Sequence, residues 1–219
     1  MGRRTATGPV IEPLTLAGLD DGDAGALVAQ GMYDATRYAD ADISGSDLSG
    51  ASFTECELAA ITAHETQLRA ARFVQTRIQR LNAPVFTAAR AVFRESELSH
   101  SRMGSIELYD AEIQSTAITG CKLGFANLRA ARLQDVQFTD CTIDELDLSR
   151  AELTRVAFRD CTVDTLRLDG ARLRHVDLRG LDLHIIAGLE GMAGATISST
   201  QATLMAPLLA EHLRITVDG

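Results

Sequence analysis

The chain has 219 residues, 46% of them hydrophobic, 23% charged and only 5% aromatic, with no Trp. That is enough chain to bury a core and a composition that excludes wholesale disorder, but the core has to be filled by Leu, Ile, Ala and Val. Thirty acidic against 21 basic residues leave a net charge of −9, which argues against direct nucleic-acid binding through the phosphate backbone. No apolar run approaches the ~18 residues of a membrane span. After Met1-Gly2-Arg3-Arg4, Glu12 and Pro13 interrupt anything resembling a signal-peptide core, so a soluble, cytoplasmic protein with no membrane contact is expected.

Residues 1–32 are rich in Gly and Asp and off the register that follows; they read as a flexible N-terminal tail with a loose cap. Asp20-Asp21-Gly22-Asp23 hints at calcium, but Gly31 stands where an EF-hand needs Glu. From Ile43 every fifth residue is apolar: Ile43, Leu48, Phe53, Leu58, and so on without insertion to Leu178 and Leu183, 29 consecutive positions. Chance would produce this less than about once in a billion trials, whereas repeat architectures require it. Two residues before each lies a second column of small or apolar residues, such as Ala41, Ser46, Ala51 and Cys56.

A period of five suits neither a helix nor a strand. It fits a chain that turns a corner every five residues, with two side chains of each five pointing inward. Four such sides close a coil of 20 residues, and stacked coils bury a core that no single coil could. The 20-residue period is visible independently, since Val136–Asp144 and Val156–Asp164 are identical at six of nine positions and Ile143/Val163 is a conservative seventh. Tyr33 and Tyr38 extend the register backwards, so the solenoid is expected over 33–185, in about seven coils. At Ala63, Ala83 and Ala88 the central column is small while Ile61, Leu81 and Phe86 are large, which keeps packing volume roughly constant. Pro84 in that stretch leaves two alternatives, a well-packed coil with swapped sizes or a local bulge over 81–88.

Residues 186–219 read as a Gly-rich connector and a C-terminal helical capping segment. Ser198-Ser199 can cap a helix through Gln201. Pro207 is expected to stop or kink it before a second turn over 208–213, and Ile215 and Val217 suit a short terminal strand. Cys56, Cys121, Cys141 and Cys161 lack zinc spacing. The last three stack 20 residues apart in the small inward column, where geometry permits a disulfide and a buried free thiol reads better. No Walker loop, GxSxG or HExxH is present, and five scattered His have no metal-ligand spacing, so no catalytic residues, metal or cofactors are expected.

The runs Ala41-Asp42-Ile43-Ser44-Gly45, Ser46-Asp47-Leu48-Ser49-Gly50 and Ala126-Asn127-Leu128-Arg129-Ala130 resemble the A(D/N)LxX signature of the pentapeptide-repeat protein family. The resemblance covers about 70% of the chain. It implies an all-β fold, a right-handed quadrilateral β-helix with a short C-terminal helical cap. It implies a homodimer joined end to end through the C-terminal segment, here Leu204, Met205, Leu208, Leu209 and Leu213. It also implies protection of a type II topoisomerase, DNA gyrase or topoisomerase IV, from poisons such as fluoroquinolones by non-enzymatic mimicry of duplex DNA.

Charge limits that mimicry. Residues 33–186 hold 23 acids and 18 bases, whereas duplex DNA of ~35 Å carries roughly 20 negative charges. A local mimic remains, because Asp140 stacks on Asp160 and Asp144 on Asp164. With Glu145 and Asp147 they form the candidate partner-binding patch. Elsewhere the ladder Glu112, Arg132, Glu152, Arg172 alternates in sign. A structural or scaffolding member with no topoisomerase partner is the alternative.

Overall fold

The computed structural model describes residues 8–216. Parallel strands stack with a register of 20 residues from rung to rung, as in Phe53↔Phe73, Ile118↔Phe138 and Ile143↔Val163. Four faces follow one another in each coil. The first carries the Phe53 column inward, the second Leu58, the third Ile43 and the fourth Leu48. Eight rungs stack on the first face, from Met32–Asp34 to Arg172–Asp177. The second face gains Asp20–Asp21 below and Ala195–Thr196 above, making ten levels and a rod of ~43 Å. The solenoid is thus longer than the seven coils expected, because both flanking segments add a strand to it.

All 29 positions of the fifth-residue column face inward; Leu98, Leu108, Leu173 and Leu183 are half-buried and the rest are buried. Like stacks on like. Phe53 lies over Phe73 at 5.3 Å and 4°, Phe73 over Phe93 at 4.8 Å, and on the second face Phe138 over Phe158 at 4.7 Å. Leu81 and Phe86 are buried beside Ala83 and Ala88, so the interior closes by exchanging volume between the two columns.

Corners take one of two forms. Most are a single residue in the left-handed region, such as Asp40, Ala60, Glu95 and Asp140 with φ near 50°, and none of these is β-branched. The corner between the third and fourth faces is left-handed at Gly45 and Glu65 but not at Val85, Ser105, Phe125, Glu145 or Thr165. There the chain runs on as one strand, for example Asn82–Thr87, Arg102–Glu107 and Thr142–Asp147. Val85 and Thr165 resist positive φ, so the switch falls at Pro84-Val85, where the sequence suggested a bulge.

The N-terminal segment does not hang free. Residues 8–19 descend along the wall, with Pro9, Ile11, Leu14, Leu16 and Leu19 half-buried. The Val10 N–H donates to Asp135 at 3.1 Å, the Leu14 N–H to Glu97 at 3.3 Å, and Arg77 donates to the Leu14 carbonyl at 2.9 Å. The expectation of a flexible tail is corrected for these residues; residues 1–7 lie outside the described part. Tertiary docking of a segment with an apolar residue at every second or third position is the reason.

At the other end, helix α1 (Ser199–His212) starts at Ser198 in a capping box with Gln201. Gln201 Nε2 also donates to the carbonyls of Leu178 and Leu181 at 2.7 and 2.8 Å, satisfying acceptors of the last coil. Pro207 neither stops nor breaks the helix, which runs through it. Ile215 is in no strand, its N–H donating to Ala210 at 2.8 Å, and Val217 lies outside the described residues.

Candidate functional site

Asp140 and Asp160 occupy successive left-handed corners, with φ of 52° and 51°, at the edge of the third face. Both are exposed, as are Asp144 and Asp164 one column further on, where Ile143↔Val163 pairing stacks them in register. Among the described residues Asp140, Asp144 and Asp160 have no ion-pair partner, while Asp164 lies 3.2 Å from His184 Nδ1. Four stacked carboxylates on adjacent coils repel one another unless solvated or met by cations. Asp182, exposed on the next rung, extends the acidic region, and its place on the 20-residue register was the available signal.

Two predicted members do not belong to the open patch. Asp147 is 8% exposed and accepts from the Ser149 N–H at 2.9 Å and the Ser149 hydroxyl at 2.5 Å. The same turn recurs at Asp42-Ser44 and Asp47-Ser49, both at 2.9 Å. The Asp of the repeat signature is therefore a backbone cap of the turn. Glu145 is half-buried and takes a 2.6 Å hydrogen bond from Arg167, which neutralises it.

Below the acidic rungs the same face is cationic. Arg102 and Lys122 stack in register, exposed, and Arg80 and His100 occupy the corner beside them. The alternating ladder of the first face is present, with Arg132 3.8 Å from both Glu112 and Glu152, and Arg172 3.1 Å from Glu152. Charge is balanced along that ladder and segregated on the third face.

The four cysteines are buried free thiols. Each donates to the carbonyl two residues before it, Cys56 to Thr54 at 3.2 Å, Cys121 to Thr119 at 3.5 Å, Cys141 to Thr139 at 3.3 Å and Cys161 to Arg159 at 3.2 Å. Thr76 and Ser96 do the same with hydroxyls at 3.0 and 2.8 Å. These positions thus use a small donor, which the sequence reading of a small hydrophobe missed, although Val136, Val156, Ile61 and Leu81 fill the same two columns without one. Hydrogen bonding between neighbouring thiols pushes Cys141 up to about 11, and the same contact together with burial raises Cys161.

Of the predicted dimer residues, Leu204, Leu208 and Leu209 are exposed along α1 and Leu213 just past its end. Met205 is buried against the last coil. No helix among the described residues is long and apolar enough to cross a membrane.

The model of the pentapeptide repeat region matches residues 91–168 and 111–186. Residues 91–186 thus match a pentapeptide repeat region. Among solved structures, full-length QnrB1, a plasmid-mediated fluoroquinolone resistance protein, is 18% identical with a TM-score of 0.37, over 87% of this chain and 94% of that one. HetL, a pentapeptide repeat protein involved in heterocyst differentiation regulation from the cyanobacterium Nostoc, is 18% identical with a TM-score of 0.30, over 78% of this chain and 91% of that one. No curated protein matches the sequence.

Proposed function

We infer that this pentapeptide-repeat protein acts without catalysis, as a rod that docks by its acidic edge into a cationic protein groove built for duplex DNA. The partner is a type II topoisomerase, DNA gyrase or topoisomerase IV, which it shields from poisons such as fluoroquinolones. The observation that carries this is the exposed quartet Asp140, Asp160, Asp144 and Asp164. It places carboxylates at the ~4.8 Å coil spacing, a regular line of negative charge somewhat wider than the ~3.4 Å rise between phosphates of one duplex strand. The exposed leucines of α1 support an end-to-end homodimer, which would double the rod. The solenoid's modest net charge supports local docking at these rungs and argues against mimicry by the whole surface.

A supercoiling assay with DNA gyrase and a fluoroquinolone tests the reading. Added protein should restore supercoiling in the presence of drug. The variant carrying Asp140→Lys and Asp160→Lys should not, although its fold is intact because both side chains point outward. No restoration by the unmodified protein with either topoisomerase would leave a scaffold role.

A further inference from the structure

The third face is complementary to itself. Its lower rungs carry Arg102 and Lys122, its upper rungs Asp144 and Asp164, and all four are exposed. Between them lies a trough of about 430 Å³ lined by Pro84, Arg102, Gly104, Lys122, Gly124 and Asp144. Its floor is bare backbone. A Cβ on Gly104 would lie 2.6 Å from the Pro84 carbonyl oxygen and one on Gly124 2.2 Å from that of Gly104, so no side chain fits there.

We propose that this face is an interface between two copies of the chain, packed face to face with their axes antiparallel. A two-fold axis along the strands, midway between the Lys122 and Thr142 rungs, sets each column against itself with the rungs reversed. Gly124 then faces the partner's Asp144 and Gly104 faces the partner's Asp164, so carboxylates enter the trough that the glycines leave open. Arg102 and Lys122 stand opposite the partner's Thr162 and Thr142, small residues that leave room for long ones. From there each reaches diagonally to the partner's Asp164 or Asp144. At the corner, His100 meets the partner's Asp160. One column further, Val85 faces the partner's Ile185, which is 55% exposed in the single chain.

The sign pattern selects this arrangement. A parallel pair would bring the Asp144 and Asp164 rungs level with the same acidic rungs of the partner and the Arg102 and Lys122 rungs level with the partner's cationic ones, so like charges would meet. Six rungs by one five-residue face is roughly 500 Å² per copy, the small end of specific interfaces. The pair is therefore reversible and held by charge, and it dissociates as salt rises. It uses residues separate from the apolar contact at α1, and it would cover part of the acidic quartet. Self-association and topoisomerase docking thus exclude one another on the same face, and the test needs no topoisomerase.

Sedimentation velocity decides it, in a chain whose end contact is removed by Leu204→Glu with Leu208→Glu. At about 50 mM salt this chain should dimerise, and at about 500 mM it should be monomeric. Arg102→Glu alone and Asp164→Arg alone should each abolish the dimer. An equal mixture of the two should restore it, because only the mixed pair sets a carboxylate against an arginine at both symmetry-related contacts. Lys122→Glu and Asp144→Lys form a second such pair, and circular dichroism with the β signature retained confirms each variant's fold. A monomer at low salt, single variants that still dimerise, or mixtures that stay monomeric would each overturn the proposal.

Discussion

Arg155 reaches across one coil to hold both carboxylate oxygens of Asp135, Nε to Oδ1 at 2.6 Å and Nη2 to Oδ2 at 2.5 Å. Asp135 sits on a corner, yet it is only 5% exposed, because the N-terminal segment lies over it and Val10 donates to it. The hydrogen bonds from Arg155 hold this carboxyl below the usual Asp range, outweighing the opposing effect of burial. Its folded pKa is depressed, so its contribution is present above the ordinary value of about 4 and is lost as pH falls through the lower folded value.

Asp135→Asn should therefore loosen the segment and cost about 1–2 kcal/mol at neutral pH, since a charge-assisted bidentate contact is lost while Arg155 keeps partial access to water. Hydrogen exchange at the Val10 amide and thermolysin cleavage near Ile11 and Leu14 read this directly. Both should rise in the variant at pH 7, and the unmodified protein should approach it only well below pH 4.

The two kinds of corner respond differently to β-branched residues. Ala130 holds φ 55°, so Ala130→Val should destabilise by about 1–2 kcal/mol through the left-handed clash. Thr165→Ala, at a corner without positive φ, should stay within about 0.5 kcal/mol. Denaturant midpoints compare the pair, and equal losses would contradict the corner assignment.

In the cysteine column, Cys141→Ser keeps a small donor to Thr139 and should change stability by less than about 1 kcal/mol. Cys141→Leu adds volume beneath two packed rungs and should cost about 1–3 kcal/mol. Thermal unfolding distinguishes them.

The inward columns were legible from residue 43 to 183 because burial acts on every fifth position and nothing else competes for it. Phe53, Phe73 and Phe93 therefore announce their stack in the sequence. The patch was legible only in part, because acidity alone does not separate a free carboxylate from one engaged by the backbone. Asp147 precedes Leu148-Ser149 as Asp47 precedes Leu48-Ser49, and that repetition marked it as a turn cap. Glu145 was lost to Arg167, 22 positions away, a diagonal contact that the direct 20-residue register does not show. The docking of residues 8–19 depends on partners as distant as Asp135, which no local pattern in the segment can show. Pro207 was read by its local propensity, but a proline costs a helix one hydrogen bond, and the packing of Met205 and the capping by Gln201 outweigh it here.

The most direct test of the docking account is displacement of a fluorescent duplex from DNA gyrase by the purified protein, followed by anisotropy at increasing salt. The account predicts that the unmodified protein releases the duplex, that release weakens as salt rises, and that the protein with Asp140→Lys and Asp160→Lys releases none. Release by that double variant equal to that of the unmodified protein, or no release by either, would contradict it.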